Sequence, residues 1–195
     1  MRFAALLLYF CSLGLVACST LQGLRYPSVT ELEDIDFLGT KFVREAGITD
    51  TPVQTYSYYP PDQSPDDWLE RIEFEVHPAA DGEGPLDQAT RIAEGFKLEN
   101  PNMDYALASD DRAGVAYLDF FYPHSSRKEA GKDFLEFNAF KFLRDWGSHR
   151  IIVFHYVKNV EGIGVHRPIS DVSMDIISLR QDVQQAMMKL PRFHL

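Results

Sequence analysis

Between Trp68 and His77 the chain alternates strictly: Ile72, Phe74 and Val76 are apolar, while Arg71, Glu73, Glu75 and His77 are polar. Successive side chains of a strand point to opposite faces, so this segment predicts a half-buried β-strand. Other β-rich stretches follow the same logic. Phe37 to Arg44 and Val53 to Tyr59 predict a first pair of strands. Met103 to Ala108 and Gly114 to Tyr122 predict a hairpin across Ser109-Asp110-Asp111-Arg112-Ala113, and Phe134 to Leu143 with Arg150 to Val157 a second one around Gly147.

Two segments carry the helical period instead. Pro85 suits a first helical position, Leu86, Ala89, Ile92, Ala93 and Phe96 recur at helical spacing, and Asn100-Pro101 stops the run. From Ser170 to Lys189, Val172, Ile176, Leu179, Val183 and Met187 repeat every three to four residues, with Ser170 as cap and Pro191 as stop. Strands outnumber helices and come in hairpins, so the expected class is α+β: a mainly antiparallel sheet of six to seven strands with two helices, the C-terminal one packed on the sheet. This order is loosely similar to the PsbP/Mog1 fold and to helix-grip folds.

The N-terminus reads differently. Met1-Arg2 is followed by the apolar run Phe3 to Ala17, the layout of a secretory leader. The run is shorter than the roughly 20 residues of a spanning helix. Leu15-Val16-Ala17-Cys18 resembles the lipobox of bacterial lipoproteins. That resemblance implies cleavage between Ala17 and Cys18 and lipidation of Cys18, and Ser19 is compatible with transfer to an outer membrane facing the periplasm. The expected organisation is a leader over 1–17, a lipidated tether over 18–33 containing Gly23 and Pro27, and one globular domain over 34–195.

Cleavage there changes the chemistry left to the chain. Both cysteines, Cys11 and Cys18, are spent, and losing Arg2 takes the formal charge from −10 to −11. Thiol catalysis, disulfides and cysteine-based zinc sites drop out. An acidic chain without a basic stripe is not expected to bind nucleic acid.

Signatures of catalysis are sparse. The histidines at 77, 124, 149, 155, 166 and 194 form no pair at helical ligand spacing, and no HExxH, GxSxG or EF-hand pattern occurs. His124-Ser125-Ser126 reads as a loop, and His155 as a packed histidine on an apolar strand. Gly162-Ile163-Gly164-Val165 lacks the third glycine of a dinucleotide loop. Asp62, Ser64, Asp66 and Asp67 fit turn chemistry better than a calcium loop. Glu73 and Glu75 share one strand face about 7 Å apart, a separation known among glycosidase acids, and are read here as solvated charge. No catalytic, metal or cofactor residues are assigned.

The aromatic content is the least ordinary feature, with 14 Phe, 9 Tyr and 2 Trp. Phe120-Phe121-Tyr122 must send rings to both sheet faces, and Phe137 opposes Phe134, Phe140 and Phe142. The second apolar face is either covered by the chain itself or lines a groove for a partner. The expected function is that of a membrane-anchored, non-enzymatic interaction module, monomeric, for a protein partner or envelope component, with an inhibitor or immunity protein as one form. The alternatives are a hydrolase using His124, His149 or His166 with nearby acids, and a carrier of an apolar ligand between the C-terminal helix and the sheet.

Overall fold

The computed structural model describes residues 26–45, 53–123, 134–145, 147–161 and 169–195. Four strands come first: β1 (Asp34–Phe37), β2 (Thr40–Arg44), β3 (Gln54–Tyr59) and β4 (Glu70–Pro78). Helix α1 (Pro85–Glu99) follows, then β5 (Tyr105–Asp110), β6 (Val115–Pro123), β7 (Phe134–Asp145) and β8 (Arg150–Glu161), and finally helix α2 (Ile169–Lys189). The eight strands form one sheet in the order β1-β2-β3-β4-β8-β7-β6-β5. Every neighbouring pair is antiparallel. The chain is thus two four-stranded meanders, each followed by a helix, joined where β4 meets β8. The α+β class holds, with one strand more than the upper expectation.

The extra strand comes from Phe37 to Arg44, which the sequence suggests is a single strand. Phe37 pairs with Thr40, so the chain reverses through Leu38-Gly39. Both turn residues have positive φ, 54° and 80°. A two-residue turn of that kind matches strand twist, but it normally takes Asn or Gly at the first position. Leucine there hides the signal. Leu38 is exposed, so replacing it costs little packing. Leu38→Asn is expected to raise stability by about 0.5–1 kcal/mol, read as a higher urea midpoint with an unchanged slope.

Two cores follow from the alternation. On one face, Ala89 and Ala93 of α1 pack with Ala116, Leu118, Phe120, Phe140, Phe142 and Val153. On the other, Val183 and Met187 of α2 belong to a larger core with Phe37, Phe42, Tyr58, Phe74, Phe137 and Phe154. The helices therefore cover opposite faces. Phe120 lies under α1 beside Phe140 (ring centroids 5.7 Å apart), while Phe121 lies on the other face against Phe137 (4.8 Å). Phe120, Phe137 and Phe140 are buried and Phe121 is half-buried against the core, so these rings are packed within the two cores.

The predicted stripe of α2 is kept where it is described: Val183 and Met187 are buried, and Ile176, Leu179 and Leu190 are half-buried. Polar contacts fix its height above the sheet. Buried Asp119 on β6 accepts from Arg180 Nε and, at 3.1 Å, from Gln184 Nε2. Lys141 on β7 donates its Nζ to the carbonyls of Met187 (2.8 Å) and Leu190 (3.0 Å). Met187 O in the last turn also accepts from Leu190 N–H at 3.3 Å, and Leu190 lies just past the helix, so the lysine acts as a C-cap delivered from the sheet.

Packing begins before Asp34. Residues 28–33, assigned to the tether by composition, dock on the α2 side. A 3-10 turn over Val29–Glu31 buries Val29. Val29 N–H donates to His194 O (2.9 Å), and His194 N–H to Pro27 O (3.2 Å). Tyr58 Oη donates to Leu32 O at 2.9 Å. The C-terminal Phe193 ring packs on Phe74, 4.7 Å between centroids. Polar, turn-rich composition thus concealed Val29, which the core buries, and Leu32, which packs against it.

Candidate functional site

The polar side of β4 faces the same way as α1. Its acids are not isolated, because β8 is its neighbour and β7 the next strand. Glu73 pairs with His155 across β4 and β8. Phe140 pairs with His155 across β7 and β8, and the imidazole stacks on the Phe140 ring at 3.9 Å. Residues far apart in sequence are thereby brought into one cluster, in which donor atoms of Glu73, Glu75 and His155 all lie within 4.8 Å of one another.

The outer partners of the cluster fix its orientation. His155 Nε2 lies 2.9 Å from Asn138 Oδ1. Asn138 Nδ2 donates to Glu136 Oε1 at 3.0 Å, which assigns the amide's oxygen to His155. His155 Nε2 therefore carries a proton. Glu75 Oε2 lies 2.6 Å from His77 Nε2, and His77 Nδ1 accepts from Gln88 Nε2 at 3.0 Å. Gln88 in turn accepts from Arg91 Nη1 at 2.7 Å. Glu73 Oε1 faces Arg71 Nη1 at 3.4 Å, and Arg71 lies over the Trp68 ring, 4.4 Å from its centroid.

The inner atoms are left facing one another. His155 Nδ1 is 3.4 Å from Glu73 Oε2 and 3.9 Å from Glu75 Oε1. It is buried and has no hydrogen-bond partner. Both separations exceed a sound N–H···O bond. Burial raises the Glu73 carboxyl, but His155 and Arg71 outweigh it and hold the pKa below its ordinary value. Chemically, the arrangement presents two carboxylate oxygens and one imidazole nitrogen to a common centre.

The structure distributes the other sequence candidates differently. Glu73 and Glu75 do share a face, but they are half-buried in a network. Asp62, Ser64, Asp66 and Asp67 are exposed, and Ser64 and Asp67 exchange backbone hydrogen bonds (3.3 and 3.1 Å) as a tight turn. Asp110 caps its own turn by accepting from Ala113 N–H. His149 sits at a positive φ of 52° before β8. Its carbonyl accepts from Ala79 N–H. Ala17, Cys18, His124, the Gly162–Val165 stretch and His166 lie outside the described residues. Asn138 and Gln88 were missed. The signal for Asn138 was present, as a polar residue in the aromatic register of Phe140 and Phe142.

Two surface clefts lie among the described residues. One of about 350 Å³ lies at the β2–β3 end, among Val43, Tyr59, Pro60, Pro61 and Pro65. Another of about 330 Å³ lies between the start of α1 and Arg144. Among the described residues no helix is long and apolar enough to cross a membrane. Comparison of the chain with protein-family models, curated proteins and solved structures gives no significant match.

Proposed function

We propose that this chain is a lipid-anchored envelope protein whose domain serves as a binding module for a protein partner or envelope component. The observation that carries this reading is the run Phe3 to Ala17 ending in Leu15-Val16-Ala17-Cys18. A diacylglyceryl thioether plus a further acyl chain supplies the two hydrophobic anchors that stable attachment needs. The helices fill both faces of the sheet, which leaves edges and clefts for contact. The cleft around Val43 and Tyr59 is the surface favoured here, because Val43 is an exposed apolar residue beside prolines. The acidic balance favours a basic partner by long-range attraction.

Two measurements test this reading. Mass spectrometry of the native product should show a lipid-modified Cys18 at the N-terminus, and Cys18→Ser should move the protein from the membrane pellet to the soluble fraction. Pull-down from detergent-solubilised envelopes should retain a salt-sensitive partner that Val43→Glu loses. An intact leader with an unmodified Cys18 overturns the anchor, and recovery of no partner at low or high salt overturns the binding role.

A further inference from the structure

The cluster on β4 and β8 sets two carboxylates and one imidazole around a common centre. Each of its three groups has one side committed outward: Glu73 to Arg71, Glu75 to His77, and His155 to Asn138. Because Asn138 presents its oxygen, His155 holds a proton on Nε2, and its Nδ1, buried and without a hydrogen-bond partner, is turned toward the two carboxylates. Two carboxylate oxygens and this imidazole nitrogen converge at 3.4 and 3.9 Å, longer than hydrogen bonds, with no other described side chain between them. Such a centre is stable only when a positive charge occupies it.

Geometry argues for a metal ion over a proton. A proton shared between His155 Nδ1 and a carboxylate would draw the atoms to about 2.7–2.9 Å. The observed separations are 3.4 and 3.9 Å. A tetrahedral ion with bonds of about 2.1 Å needs edges of about 3.4 Å between its ligands. The outward contacts also match what metal ligands require: an imidazole whose far N–H is held, and carboxylates whose second oxygens are engaged.

We infer that Glu73, Glu75 and His155 form a binding site for a divalent transition-metal ion, with Zn2+ as the preferred occupant. The ligand set is one nitrogen and two oxygens, which suits Zn2+ and, more weakly, Mn2+. Calcium takes about six to eight oxygens and is a poor match for an imidazole. Three protein ligands leave the fourth position of a tetrahedron for water or an exogenous group. Asn138 is a positioning residue, since it sets the tautomer of His155 without touching the ion.

The test is titration of the chelator-treated full-length chain with ZnCl2, MnCl2 and CaCl2, followed by calorimetry and thermal unfolding. One Zn2+ should bind per chain and raise the unfolding midpoint, and excess Ca2+ should not displace it. X-ray absorption of the zinc-loaded protein should show a shell of nitrogen and oxygen at about 2.0–2.1 Å. Glu73→Gln and Glu75→Gln, which preserve side-chain shape, should each weaken binding by more than about tenfold, while Glu94→Gln on the exposed side of α1 should not. Absence of saturable Zn2+ and Mn2+ binding overturns the inference. So does one-to-one binding that both glutamine variants leave unchanged, or an NMR signature of His155 protonated on both nitrogens in the presence of saturating Zn2+.

Discussion

Lys141→Ala should destabilise the domain by about 2–4 kcal/mol at neutral pH. The side chain is buried on β7, and its Nζ donates to Met187 O in the last turn of α2 and to Leu190 O just past it. Truncation removes a packed stem and takes the donor from Leu190 O. Lys141→Met keeps most of the stem and should cost less. The two variants separate packing from capping when their urea midpoints are compared.

The same lysine predicts a pH dependence. Burial, with the Arg192 charge nearby, lowers its pKa from 10.5 to about 8. Between those values the unfolded chain keeps a proton that the folded chain has released. Unfolding therefore takes up protons, and stability rises with pH across this window. The gain from about pH 7.5 to about pH 9.5 is about 2 kcal/mol, and the contribution is lost as pH falls through 8. A neutral amine still has two N–H groups for the two carbonyls, so the cap survives deprotonation. Lys141→Met should flatten the rise. Tyr58, raised to about 12 by burial, works in the opposite direction, but only above the ordinary tyrosine value of 10. An equal change in stability of wild type and Lys141→Met between about pH 7.5 and about pH 9.5 would show that this amine is not the titrating group.

Phe74→Ala should have the largest effect in the chain, a loss of about 3–5 kcal/mol. Phe74 is fully buried at the centre of β4. Its ring meets Tyr58 (5.7 Å), Phe154 (5.4 Å) and Phe193 (4.7 Å). It therefore links β3, β8 and the C-terminal tail in one contact set. A cavity there should loosen the tail, because Phe193 holds His194 in place for its backbone bonds with Pro27 and Val29. Hydrogen exchange should show the Val29 and His194 amides losing protection more than those of α1. A stability change under about 1 kcal/mol would mean that the ring is not the hub its contacts suggest.

Much of the architecture was legible because it depends on local periodicity. The alternation of Ile72, Phe74 and Val76, the helical repeat of Val183 and Met187, and the punctuation at Asn100-Pro101 and Pro191 each work within a few residues of the chain. The Leu38-Gly39 turn was missed because leucine occupies a position whose backbone favours asparagine or glycine. Val29 was missed because scattered apolar residues in a polar segment carry no period that singles out the buried one.

The cluster was only half legible. Alternation already put Glu73 and Glu75 on one face, and marked His155 as polar within an apolar strand. What the sequence does not contain is the pairing of β4 with β8, which crosses the whole second meander. Local patterns decide which side of a strand a residue occupies, because the backbone alone sets that geometry. Strand order is decided by the packing of complete faces, α1 on one and α2 on the other, and only that global choice sets His155 opposite Glu73.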